Sequence, residues 1–197
     1  MDNVDAFILK YLPFAVWASI QTGLPALHML PQAALETQWG KYVPENNMFG
    51  IKGWGNAYPN GWDGKSVKLT GTQEEYNGKV VNIKDKFRAY KTPENSFNDY
   101  AGLIKDKYPK AYAAKDYLSY ATYVKAGGYA TDSGYVAKLT SIHEKIKKRI
   151  PLLYGTFMKK YDIRLASSIG LMLISSFMLF TLYRKEILGF ISGIIKS

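Results

Sequence analysis

The residues best placed to do chemistry are three glutamates. Glu36 lies in the run Pro31-Gln-Ala-Ala-Leu-Glu36-Thr-Gln-Trp39-Gly40, which reads as a short helix with Pro31 at its first position and Gly40 as its stop. Near a helix C-terminus the partial negative charge disfavours a carboxylate, and Leu35 and Trp39 add desolvation, so the pKa of Glu36 should rise. A carboxyl that keeps its proton near neutral pH can serve as a general acid. Glu74 and Glu75 stand just before Asn77-Gly78, the strongest short-range hairpin signal, with strands expected over 67–76 and 79–90. In an extended segment these two side chains point to opposite faces, so at most one shares a site.

Other chemistries lack their residues. The 197-residue chain has no cysteine and two histidines, His28 and His143, which excludes thiolate nucleophiles, disulfides and thiolate metal sites. Neither a Ser-His-Asp nor a metal-hydrolase motif is visible, so no metal and no cofactor are expected. His28 reads as a packing residue without a carboxylate partner.

The elements that must position Glu36 follow from periodicity. Phe7, Ile8, Tyr11, Leu12, Ala15 and Ile20 repeat with a helical period before Gly23 and Pro25. With Asp2, Asp5 and Lys10 in that stretch, it reads as the first helix of a folded domain and not as a secretory signal. Residues 44–66 are rich in Gly, Pro and Asn and read as a long loop. Phe97, Tyr100, Ala101 and Ile104 mark one later helix, residues 117–124 another, and Val136, Leu139, Ile142 and Ile146 a last one. The fold class is α+β: a mostly helical domain with a small β-hairpin lobe. Asp132 reads as the cap of the last helix.

The charge is segregated. Of 26 basic and 16 acidic residues, 16 and 14 fall in residues 1–144, and 10 and 2 in residues 145–197. The basic excess therefore belongs to the tail, and nucleic acid is not an expected partner. Leu165 to Tyr183 contains no charged residue and as a helix would span roughly 28 Å, close to the hydrocarbon thickness of a bilayer. It reads as a single transmembrane helix within 165–197, preceded by a basic linker at 148–164 and a catalytic domain at 1–147. The flanking basic residues place the N-terminal domain on the cytoplasmic side.

Four ordered blocks carry a resemblance. The segment from Pro31 to Gly40 followed by Asn46-Asn-Met-Phe-Gly-Ile-Lys-Gly53, then Lys86-Phe-Arg-Ala-Tyr90, Ser96-Phe-Asn-Asp-Tyr100 and Gly128-Tyr-Ala-Thr-Asp132 with Tyr135, resemble the glucosaminidase family of peptidoglycan hydrolases, glycoside hydrolase family 73, over residues 5–147. The resemblance implies a lysozyme-like domain acting on peptidoglycan glycan strands, with Glu36 as general acid. It implies Glu74, four residues before the turn glycine, as the second carboxylate, and Tyr129 as an active-site tyrosine. Trp39, Trp54, Tyr90 and Tyr135 are candidates for contact with sugar rings, and Asn47 for hydrogen bonds to their hydroxyls. Three departures from the family pattern stand out: Gln38 where glycine is frequent, Ser133 where proline is, and Pro31 in place of a helix former.

The implied activity is cleavage of the β-1,4 bond between N-acetylglucosamine and N-acetylmuramic acid. The alternatives are a muramidase or lytic transglycosylase, and a catalytically silent, membrane-anchored wall-binding protein. The expected location is a virion membrane or the bacterial envelope, with a C-terminal single-pass anchor in the lipid bilayer. A bacteriophage-encoded enzyme for wall penetration or lysis reconciles a leaderless chain with an external substrate.

Overall fold

A computed structural model of the chain describes the backbone of residues 2–76 and 79–167, with side chains except those of residues 70, 72–83 and 154–167. Asp2 opens helix α1 (Asn3–Thr22) by accepting the Asp5 N–H at 2.8 Å, and Gly23 closes it at φ +79°. Aspartate satisfies an orphan donor at a helix start, and glycine takes the left-handed turn at its end without a Cβ clash. The apolar residues Val4, Phe7, Ile8, Tyr11, Leu12 and Ala15 are all buried, which makes α1 part of the core.

Helix α2 (Ala26–Glu36) is the axle of the domain. It packs against α1, α3 (Pro93–Lys107), α5 (Tyr117–Ala126) and α6 (Tyr135–Ser167), and its residues from Ala26 to Ala34 are all buried. Pro31 lies inside this helix and not at its first position, which corrects the sequence expectation. A proline in a helix interior costs about 3 kcal/mol. Leu27, Met29, Leu30, Ala33 and Ala34 all enter the core around it, and each large apolar side chain so buried returns about 1.5–3 kcal/mol. The helix also stops at Glu36, three residues short of the expected Trp39.

The hairpin forms where Asn77-Gly78 predicts it. Strands β1 (Val67–Tyr76) and β2 (Lys79–Arg88) pair antiparallel, from Val67 opposite Arg88 to Tyr76 opposite Lys79. Its base is tied to the loop after α2: Gly53 N–H donates to Lys86 O at 2.7 Å and Arg88 N–H to Ile51 O at 2.9 Å. Phe49, from the same loop, stacks on Tyr100 at 3.9 Å between ring centres and meets Phe97 edge-on at 5.0 Å. Residues 47–53 therefore join helical body to hairpin.

Thr92 caps α3 by accepting Asn95 N–H, and Asp116 caps α5 by accepting Ser119 N–H at 2.9 Å. A short helix, α4 (Pro109–Tyr112), lies between them. Helix α6 runs without a break through 148–164, the segment expected as a basic linker, with Pro151 inside it. Arg149 on this helix bonds Asp2 at 2.9 Å and Asp5 at 2.8 Å, clasping α6 to the start of α1. Among the described residues no helix is long and apolar enough to cross a membrane. The expected span Leu165 to Tyr183 lies outside the described residues from 168 onward. Described residues thus form a mostly helical α+β domain with a two-stranded sheet.

Candidate active site

Glu36 is the last residue of α2. After it the chain turns sharply, with Gln38, Trp39 and Gly40 all at positive φ, +51°, +62° and +76°. The turn is held by Thr37, whose Oγ1 donates to Ala33 O at 2.6 Å and accepts Gly40 N–H at 2.9 Å. A non-glycine residue at positive φ carries a local cost. Glycine would take this turn at less local cost, so Gln38 is a costlier choice there.

The Glu36 side chain has an open side toward solvent, yet the protein packed around it pushes its carboxyl up to about 7. The two observations fit a carboxyl that water touches from one direction while protein crowds the others, and the open side tempers the push. The opposing influence is one hydrogen bond, from Gln32 Nε2 to Glu36 Oε1 at 3.0 Å. Gly50 lies against the other oxygen, so close that a Cβ there would sit 3.6 Å from Oε2. A carboxyl raised to about 7 is protonated in a large share of molecules near neutral pH and can donate that proton.

Tyr129 and Tyr135 stand within electrostatic reach of Glu36, and burial with that neighbouring carboxyl keeps both phenols protonated. Tyr129 donates its O–H to Phe49 O at 2.8 Å, bracing the 47–51 loop against the turn that precedes α6. Tyr135 is buried, and among the described residues its hydroxyl makes no well-formed hydrogen bond, only a weak one with the Gln32 side chain. Asn47 is also buried. Its Nδ2 donates to Ile51 O and Arg88 O, both at 3.0 Å, and its Oδ1 accepts the Phe49 and Ile51 N–H groups. The Asn47 amide is spent on shaping the loop that passes Glu36.

Glu74 and Glu75 occupy consecutive register positions of β1, opposite Val81 and Val80; their side chains lie outside the described residues. Trp39 is half-buried, edge-on to Phe7 at 5.7 Å, with Lys145 Nζ 5.7 Å from its ring centre. Trp54 is the more available aromatic, 60% exposed, with Lys52 Nζ 6.0 Å from its ring. His28 is buried and stacked on Tyr120 at 4.5 Å, and burial lowers its pKa to about 4. Asp132 accepts the Gly134 N–H at 2.8 Å and pairs with Lys138 at 2.6 Å, ordering the entry to α6.

Tyr90 is buried and donates its hydroxyl to Asp99 Oδ2 at 2.7 Å. It belongs to a second polar centre that sequence reasoning did not single out. Arg88, 2% exposed, pairs with Asp99 at 2.6 Å and donates to Trp54 O and Lys52 O, with its guanidinium 4.4 Å from the Trp62 ring centre. Asp99 Oδ1 also accepts the Trp62 N–H at 3.2 Å. Arg88 and Asp99 sit inside the Lys86-to-Tyr90 and Ser96-to-Tyr100 blocks, so their place in those blocks was the available signal.

Concavities among the described residues include one of about 380 Å³ lined by Tyr58, Trp62, Ser66, Tyr90 and Asn95 and one of about 770 Å³ between Gln21, Asn56, Asn60, Asn98 and Asp106. Neither contains Glu36. Depth matters less than chemistry here, since a long polymer can lie in an open groove and the carboxyl best suited to donate a proton is Glu36. Among the described residues no group of three or more His, Asp or Glu could hold a metal ion.

The family profile described as mannosyl-glycoprotein endo-beta-N-acetylglucosaminidase matches residues 12–148. The peptidoglycan hydrolase FlgJ of Escherichia coli O157:H7 is 34% identical over 166 residues, covering 80% of this chain and 51% of that protein. The exo-glucosaminidase LytG of Bacillus subtilis is 36% identical over 133 residues, covering 60% of this chain and 44% of that protein. The chain thus spans about half the length of the curated relatives it matches. A crystal structure of a peptidoglycan hydrolase mutant from Sphingomonas sp. A1 superimposes with a TM-score of 0.65 at 35% identity, covering 74% of this chain and 97% of that one.

Proposed function

The chain belongs to the glucosaminidase family, and from that premise we propose that it is a peptidoglycan hydrolase cutting the β-1,4 bond between N-acetylglucosamine and N-acetylmuramic acid. The observation that carries the proposal is the Glu36 carboxyl, held protonated to about 7 at the end of α2 and flanked by Tyr129. Glu36 donates its proton to the glycosidic oxygen as the bond to the sugar carbon breaks, and the electron pair leaves with that oxygen. The carbohydrate is left with oxocarbenium character that a second carboxylate stabilises, or that water, activated by it, captures.

Glu74 is the proposed second carboxylate, on a hairpin tied to the loop that passes Glu36. Glu74→Gln should lower activity more than Glu75→Gln, and the reverse order moves the role to Glu75. Trp54, exposed beside the hairpin base, is the proposed platform for a sugar ring.

The deciding experiment is Glu36→Gln assayed by turbidity loss of purified sacculi. Near-normal clearing in a folded variant removes Glu36 from the mechanism. Mass spectrometry of the unmodified protein's products identifies the bond: reducing-end N-acetylglucosamine supports the proposal, and reducing-end or anhydro N-acetylmuramic acid replaces it with a muramidase or transglycosylase.

The uncharged run Leu165 to Tyr183 supports a further part of the proposal, that the domain works from a membrane of the bacterial envelope or of a phage particle. The full chain should sediment with membranes and resist high salt, because apolar burial and not the basic flank would hold it. Release by salt alone reduces the tail to an electrostatic contact.

A further inference from the structure

Gln32 lies one helical turn before Glu36 on α2 and is completely buried. Its Nε2 donates to Glu36 Oε1 at 3.0 Å, while its own Oε1 is buried with no hydrogen-bond partner. A buried amide oxygen left bare is destabilising, and replacement by an apolar side chain of similar size would remove that cost. The bare oxygen therefore calls for a reason. From α6, the Tyr135 hydroxyl is likewise buried; burial raises its pKa and a weak, poorly aligned hydrogen bond from the Gln32 side chain opposes that rise, while no well-formed bond reaches Gln32 Oε1. From the turn before α6, the Tyr129 hydroxyl is committed to Phe49 O. Among the described residues these two phenols are the titratable groups that feel Glu36, and burial keeps both protonated near neutral pH.

A protonated Glu36 can donate its O–H to water on its open side or, from the oxygen that faces α2, to the Gln32 amide. The terminal amide torsion of glutamine is broad and roughly two-fold, so exchanging its oxygen and nitrogen moves no other atom far. We propose that Gln32 is a positioning residue whose amide turns with the proton on Glu36, donating its N–H to the carboxylate and accepting the acid's O–H at its own oxygen. When the proton passes to the glycosidic oxygen, the amide swings its N–H back toward the new carboxylate, with no net gain or loss of protons by Gln32. The bare Oε1 is then the half of the amide that serves the other protonation state. The inference rests on Glu36 being the acid.

The test is a titration of the full chain by NMR, with the glutamine side-chain amides labelled with nitrogen-15 and the Glu36 carboxyl with carbon-13. Gln32→Met identifies the Gln32 signals by their loss. The Gln32 amide should titrate with the same midpoint as the Glu36 carboxyl and stop titrating in Glu36→Gln. Gln32 signals that stay constant across the range in which Glu36 titrates overturn the proposal. In folded Gln32→Met, loss of an amide that serves both protonation states should leave the Glu36 midpoint within about 0.3 pH unit of its original value, whereas loss of a fixed donor would raise it by about 0.5 to 1 unit. A rise of that size, with the alkaline limb of the activity profile moving with it, overturns the proposal, and if that variant does not fold, the titration of the unmodified protein still decides. No turnover is needed to read the amide, so a Glu36→Gln variant that still clears sacculi would remove the acid role while leaving the amide result to be judged separately.

Discussion

Glu36 and Asp99 are carboxyl groups on two helices of one core, α2 and α3, and the protein treats them in opposite ways. Asp99 is completely buried and is met by the Arg88 guanidinium, the Tyr90 hydroxyl and the Trp62 N–H. Among the described residues Glu36 has one hydrogen bond, from Gln32, and no ion pair, and its side chain has an open side. The better-buried group is the better supplied with donors. The difference lies in how the local environment is equipped: a carboxylate given charge and donors anchors the loop and hairpin to the body, whereas one denied them keeps its proton and can deliver it.

The sharpest way to break this contrast is to exchange the outcomes of two substitutions. Glu36→Gln should cost about 10²- to 10⁴-fold in activity and leave the thermal midpoint near or above that of the unmodified protein. Asp99→Ala should instead destabilise by about 3–5 kcal/mol, because it strands a buried Arg88, and chemical denaturation would read that loss. A stable Asp99→Ala protein, or an unfolded Glu36→Gln one, would erase the distinction between the two carboxyls.

A smaller effect appears in pH dependence. The folded-state pKa of Glu36, about 7, lies above its ordinary value of 4.5, so between those values the folded protein binds more protons than the unfolded chain. Its contribution to stability is thus fully present below pH 4.5 and is lost as pH rises through 7. Glu36→Gln should remove that decline, so its thermal midpoint should exceed that of the unmodified protein at pH 8, and the advantage should shrink toward pH 4. Activity should fall along the alkaline side as Glu36 loses its proton.

The smallest effect tests the turn after Glu36. Gln38→Gly relieves a positive φ of 51° but frees the unfolded chain, and these terms oppose each other at about 1 kcal/mol each. Stability should change by no more than about 1 kcal/mol and activity should stay near normal. A loss of several kcal/mol would show that the Gln38 side chain does more than occupy a strained turn.

What could be read from the sequence was local. The hairpin follows from Asn77-Gly78 between alternating residues and the ordering of the entry to α6 from Asp132, each set by neighbours a few residues away; the rise in the Glu36 pKa was legible in direction, but its cause is burial by the folded protein. What escaped was decided across the chain. Pro31 is carried in mid-helix because α1, α3, α5 and α6 bury the residues around it, a compensation that no local propensity contains. Tyr90 reads as an exposed aromatic until Asp99 and Arg88 are brought to it. The bare oxygen of Gln32 has meaning only when the space on every side of α2 is filled. Sequence fixes which groups can donate, accept or carry charge, and spacing fixes those within a turn or two. Whether a carboxyl meets three donors or one depends on segments that the chain brings together only on folding, and that count separates Asp99 from Glu36, the proposed acid.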